Sequence, residues 1–184
     1  MSNITKRAMA QSLKKILVVK ELDKITITDI TNDCGINRQT FYCHFKDIYD
    51  LLEWIFANEV VEKIEKETTI ETWQDNFKYV LDYMLKNKKF IIKTYNSLSR
   101  KTLLDFLFNQ YNTIFIEIVN DLSKNYNITK ENKIFIANFY KYGFAGIIEN
   151  WIVTEMKESP ESIIKKLDVM ISGNFEEAVR KMSN

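Results

Sequence analysis

Apolar residues recur along this chain at three- and four-residue intervals, the spacing of helices that bury one stripe. Residues 3–20 predict a first helix with Ile4, Ala8, Leu13, Ile16 and Leu17 inward and Lys6, Arg7, Lys14 and Lys15 outside. Asp47 caps a longer helix, residues 47–66, with a stripe of Ile48, Leu51, Leu52, Ile55, Phe56, Val60 and Ile64. A break over residues 68–72 precedes a helix over 72–86 that turns Trp73, Phe77, Val80, Leu81, Met84 and Leu85 inward. The polar stretch 87–89 separates it from a short piece, 90–97. A long helix over 100–124 follows, carrying Leu103, Leu107, Tyr111, Phe115, Ile118 and Leu122. Thr129 caps the next, which runs to about Met156 and is apolar on more than one side: Phe135, Phe139, Tyr142, Ile147, Ile148, Trp151 and Ile152. All-round apolarity implies burial on most sides, with neighbours in its own subunit and in a partner. Ser159-Pro160 starts a helix over 160–172, Gly173 ends it, and a tail helix over 175–182 closes the chain.

Between residues 26 and 46 the elements shorten. Thr28 is placed to cap a short helix carrying Ile30 and Cys34, and Gly35 supplies the turn that ends it. Asn37 is placed to cap a second helix of about two turns from Arg38, with Phe41 and Phe45 on one inward face. Two short helices joined by a Gly turn form the helix-turn-helix signature, whose second helix enters the DNA major groove. Arg38, Gln39, Tyr42, Cys43 and Lys46 turn away from the apolar face. They offer the donors, cations and small apolar contact that such a helix needs.

The run Gly35-Ile36-Asn37, Thr40-Phe41-Tyr42 and His44-Phe45, followed by an acidic residue and Leu51-Leu52, resembles the TetR-type regulator pattern over about the first 55 residues. The opening segment and Arg38-Gln39-Thr40-Phe41-Tyr42 are also similar to regulators of dihydroxyacetone-kinase operons. The resemblance implies an all-α protein: a three-helix DNA-binding head (residues 1–46) and a helical effector-binding and dimerisation domain (47–184), with 47–66 as connecting helix. It implies that Arg38, Gln39 and Thr40 read bases and that Thr28, Tyr42, His44 and Lys46 meet the phosphate backbone, beside the capping Asn37. Many family members carry a Lys where this chain has Ile48, so one expected phosphate contact is missing.

Charge supports that division. The chain carries +1 overall, but residues 1–46 hold eight Lys/Arg against four acids, a net of +4. Arg38 is one of only four arginines, with Arg7, Arg100 and Arg180, and Arg binds guanine bidentately where Lys does so less well. The two cysteines, Cys34 and Cys43, make no disulfide framework and fit a reducing cytoplasm, and no apolar run approaches membrane-spanning length. His44, the one histidine, lies beside Cys43 and so cannot face it on a helix. The chain has no Gly-rich phosphate loop, nucleophile elbow or His-rich metal site, so neither an enzyme, a cofactor nor a bound metal is expected.

The body is rich in aromatics, and Phe77, Tyr83, Tyr95, Tyr111, Phe115, Phe139 and Tyr142 are the candidates to line an effector cavity. The alternative for each is ordinary core packing. The expected protein is a homodimeric, cytoplasmic regulator, a repressor by family default. It would bind a palindromic double-stranded operator, with an effector in the C-terminal domain altering DNA affinity. The competing expectation is a co-regulator whose C-terminal domain binds a partner protein instead. A fully packed body with a large exposed apolar patch would favour it.

Overall fold

The computed structural model describes residues 2–60, 69–70, 72–97 and 100–183. Among them the helices are α1 (Ser2–Leu17), α2 (Ile27–Cys34), α3 (Arg38–Tyr42), α4 (Ile48–Glu59), α5 (Trp73–Lys86), α6 (Lys88–Tyr95), α7 (Arg100–Leu122), α8 (Lys130–Val153), α9 (Pro160–Ile171) and α10 (Asn174–Lys181). A 3-10 turn occupies Leu22–Lys24, and no strand occurs among the described residues. The all-α expectation holds. The chain divides into two compact units. One contains α1 to α4, α6 and the start of α7 as far as Phe106; the other contains α5, α7 from Leu107, and α8 to α10.

In the first unit α1 packs on α2, α4 and α6. Its buried stripe is Met9, Ala10, Leu13 and Leu17, while Ile4 is 76% exposed and Ala8 lies in solvent. The expected stripe was therefore out of phase at its start. At about 100° per residue Ile4 and Ala8 fall far round the helix from Leu13, whereas Met9 stands one turn before it. On α4 the expected positions Leu51, Leu52, Ile55 and Phe56 are buried, with Val60 just beyond the helix end. The expected continuation to Lys66, including Ile64, lies outside the described residues. Phe56 stacks on Phe106 at 5.0 Å, and Phe90 closes the same cluster at 5.7 Å.

The second unit is built round Phe144 of α8. Its ring lies 4.8 Å from Phe115, 5.0 Å from Phe77, 5.6 Å from Trp73 and 6.3 Å from Tyr111, all steeply inclined to it. Such edge-to-face contacts add to the burial of each ring. Phe175 of α10 extends the cluster, stacking on Tyr140 at 4.0 Å. α5 packs against α9, where Gln74 donates to Asp168 at 2.6 Å and Lys78 pairs with Glu161 at 2.5 Å. Leu85, expected inward, is exposed at the end of α5.

α8 divides into two faces. Ile136, Ala137, Phe144, Ala145, Ile148, Trp151 and Ile152 are buried, whereas Phe135, Phe139 and Tyr142 are 60–69% exposed. Within one chain the helix is thus covered on one side only. Pro160 opens α9 behind the Ser159 cap, and Gly173, at φ +75°, makes the left-handed turn into α10.

Candidate nucleic-acid interface

Short-range locks fix both ends of α2, the start of α3 and the start of α4. The N-cap of α2 is Thr26, not Thr28 as the sequence suggested: Thr26 Oγ1 accepts the Asp29 N–H at 3.2 Å, and Asp29 accepts the Thr26 N–H at 2.7 Å. The Thr26-x-x-Asp29 spacing is that of a capping box, a sequence signal that would have found both residues. Lys20 pairs with Asp29 at 2.6 Å, and this bond, with those from Thr26, lowers the Asp29 carboxyl from 3.8 to about 2. Thr28 consequently stands inside the first turn of α2, with its side chain exposed.

At the other end Gly35 adopts φ +66°, donating to the Asn32 and Thr31 carbonyls, and the Ile36 N–H returns to Thr31 O at 3.0 Å. A left-handed residue here costs little only as glycine. Asn37 caps α3 as expected, its Oδ1 accepting the Thr40 N–H at 2.8 Å and the Thr40 hydroxyl at 3.0 Å. Then Asp47 caps α4 through the Asp50 N–H, while Asp50 accepts the Lys46 N–H.

α3 is shorter than expected, ending at Tyr42, and the chain tightens through Cys43 and His44. Its inner face is as expected: Phe41 is fully buried and Phe45 nearly so, their rings 5.9 Å apart. Phe45 in turn meets Trp54 of α4 at 5.9 Å, and the Lys6 ammonium lies over both rings at 5.5 and 5.9 Å. Phe41 and Phe45 hold α3 down so that its opposite face stands in solvent.

On that face Asn37, Arg38, Gln39 and Tyr42 are exposed, Thr40 and His44 are half-buried, and Lys46 is exposed just beyond. The Arg38 guanidinium reaches along the helix to the Tyr42 hydroxyl at 3.4 Å. Four cations elsewhere in the same unit are neutralised: Lys14 by Glu59, Lys15 by Asp33, Lys20 by Asp29 and Lys93 by Glu21. Among the described residues Arg38 and Lys46 form no ion pair. The helix-turn-helix thus carries two uncommitted cations beside a set of exposed amide and hydroxyl groups, the chemistry that binds phosphates and base edges. Cys43 is exposed at its end, whereas burial pushes the Cys34 thiol up from its ordinary range.

The seven aromatic candidates of the body do not line one cavity. Phe77, Tyr111 and Phe115 belong to the Phe144 cluster, which leaves a space of only about 10 Å³. The Tyr111 hydroxyl is buried there with no hydrogen-bond partner among the described residues, and burial raises its pKa above the ordinary phenol range. Tyr83 is half-buried on α5, and Tyr95 belongs to the first unit, under the Arg100 guanidinium at 4.4 Å. Phe139 and Tyr142 line an open apolar groove of about 590 Å³ with Gly143, Ile147, Leu167 and Met170. No helix among the described residues is long and apolar enough to cross a membrane.

Residues 71–173 match a TetR-type family profile described as a transcriptional regulator C-terminal region. The chain belongs to the TetR-type transcriptional regulators, and within them it resembles the dihydroxyacetone-kinase operon regulators. Over 154 residues, 83% of this chain and 81% of the relative, it is 27% identical to the HTH-type dhaKLM operon transcriptional activator DhaS of Lactococcus lactis subsp. lactis (strain IL1403). The solved structure of the dihydroxyacetone kinase operon activator DhaS has the same fold, with a TM-score of 0.73 at 23% identity, covering 98% of this chain and 99% of that one.

Proposed function

We propose that this regulator binds a palindromic DNA operator as a homodimer, with residues 1–46 as the reading head and 47–184 as the effector-binding and dimerisation part. The observation that carries the reading is the solvent face of α3, where Arg38, Gln39 and Tyr42 stand exposed on a helix pinned from behind by Phe41 and Phe45. Arg38, Gln39 and Thr40 read bases, while Thr28, Tyr42, His44 and Lys46 meet phosphates. Asn37 holds the start of α3. On this reading the protein acts in the cytoplasm, with no cofactor expected.

Pairing of two chains follows from the size of one head, which contacts too few base pairs for useful specificity. The exposed Phe135, Phe139 and Tyr142 of α8, continuous with Met170 of α9, form the surface we assign to that pairing. An event in the C-terminal part then changes the separation of the two heads and with it the fit to half-sites one helical turn apart.

A second reading of that event is favoured by the packing of the aromatic core. A space of about 10 Å³ holds no effector, which supports a partner protein as the carrier of the signal instead of a small molecule in the interior. Repression is the family expectation, yet the names of both relatives say activator. A reporter fused to the bound promoter, in cells with and without this protein, reads the sign directly.

The first test is binding of the purified protein to DNA from its own upstream region, at two salt concentrations, against scrambled competitor. Competitor-resistant binding that weakens steeply with salt is the expected result. Equal binding to scrambled DNA would reduce the head to a scaffold.

A further inference from the structure

We propose that Thr40 reads its base solely as a hydrogen-bond acceptor, and so selects the exocyclic amino group of an adenine or a cytosine. The inference rests on the DNA-binding reading above and deepens it.

The Asn37 amide sets the polarity of Thr40. Its terminal atom facing Thr40 takes the Thr40 backbone N–H at 2.8 Å. A backbone N–H only donates, so that atom is the carbonyl oxygen Oδ1, and the amide orientation follows from the hydrogen-bond network. The Thr40 hydroxyl lies 3.0 Å from the same oxygen. A carbonyl oxygen cannot donate, so the hydroxyl must, and a hydroxyl has a single proton. With that proton held by Asn37, Thr40 keeps only lone pairs and its methyl group for the groove.

Threonine ordinarily reads donors and acceptors alike. Here the cap of α3 removes one of the two choices. In the major groove the available donors are N6 of adenine and N4 of cytosine, whereas N7 and O6 of guanine and O4 of thymine only accept. Asn37 takes the opposite polarity: both acceptor positions of Oδ1 are occupied, and its amino group remains exposed as a donor. Arg38, next along the chain, is also donor-only. Thr40 thus offers an acceptor beside the donors of Asn37 and Arg38.

The test begins with the full chain selecting duplexes from a randomised pool. In the enriched half-site each adenine is then replaced by purine and each cytosine by 2-pyrimidinone, which removes the amino group. Guanines are replaced by 7-deazaguanine, which removes an acceptor. Binding is compared for the wild type, Thr40→Val and Thr40→Ser, with folding checked by far-ultraviolet circular dichroism. At one position, loss of the amino group should cost the wild type and Thr40→Ser about tenfold in affinity. The same change should cost Thr40→Val less than about twofold.

Two results would overturn the proposal while leaving DNA recognition intact. In one, the Thr40→Val effect couples to 7-deazaguanine; in the other, it couples to no base change although the wild type still enriches a motif. Failure of the wild type to enrich any motif would instead remove the DNA-binding reading, and this proposal with it.

Discussion

On the proposed reading base recognition depends most on Arg38, because its fork can engage guanine N7 and O6 together and it forms no ion pair among the described residues. Arg38→Ala should cost about 1–3 kcal/mol on the selected operator and relax preference at one position. Measured as an equal loss on all sequences, the same variant would make Arg38 a phosphate contact. Asp29 acts locally. Its folded pKa, about 2 against an ordinary 3.8, means that its contribution to stability is full above the ordinary value and disappears as pH falls toward 2. Denaturant titrations at pH 5 and pH 3 should therefore show a larger acid loss for the wild type than for Asp29→Asn. Tyr111 makes the opposite case, a hydroxyl buried without a partner among the described residues. Tyr111→Phe keeps the ring in the Phe144 cluster and should raise stability by about 1 kcal/mol, read as a higher unfolding midpoint.

The short helices of the head show where sequence reading succeeds and where it slips. Gly35 and Asn37 were legible because the left-handed turn and the cap each demand a narrow residue class, and one glycine sits between two apolar clusters. The start of α2 was legible only in the Thr26-x-x-Asp29 spacing, since by residue type Thr26 and Thr28 are equally acceptable caps and the choice is made by Asp29 reaching back to Thr26. The two threonines separate by experiment: Thr26→Ala should cost about 1 kcal/mol of stability, and Thr28→Ala should spare stability while weakening DNA binding. Gly35→Ala meets no steric obstacle, so its cost is the left-handed backbone alone, about 1–2 kcal/mol. The phase of α1 slipped for a similar reason. Ile4 is apolar enough to suggest a stripe, but Met9 and Ala10 are the residues buried where α1 packs on α2 and α4.

For the whole molecule, periodicity identified α8 as apolar all round without saying what covers each side. The aromatic core takes the side carrying Phe144 and Ile148, and the other stays open in a single chain. Likewise the seven aromatic candidates could not be sorted by sequence, because an inward ring either fills a core or lines a hole, and only packing decides. Phe139→Lys tests the open side: the ring is 69% exposed, so helicity should survive, while sedimentation should shift from dimer to monomer. Operator affinity should fall with it, since the two heads would no longer be joined.

Trp54 has a use beyond packing. Its indole touches Phe45 directly behind α3 and receives the Lys6 ammonium on its face, whereas Trp73 and Trp151 lie in the other compact unit. The chain therefore contains its own fluorophores, one close to the reading surface and two in the body. Quenching that follows added operator but not added effector would belong to the first, so the two events can be timed separately in one cuvette without any label.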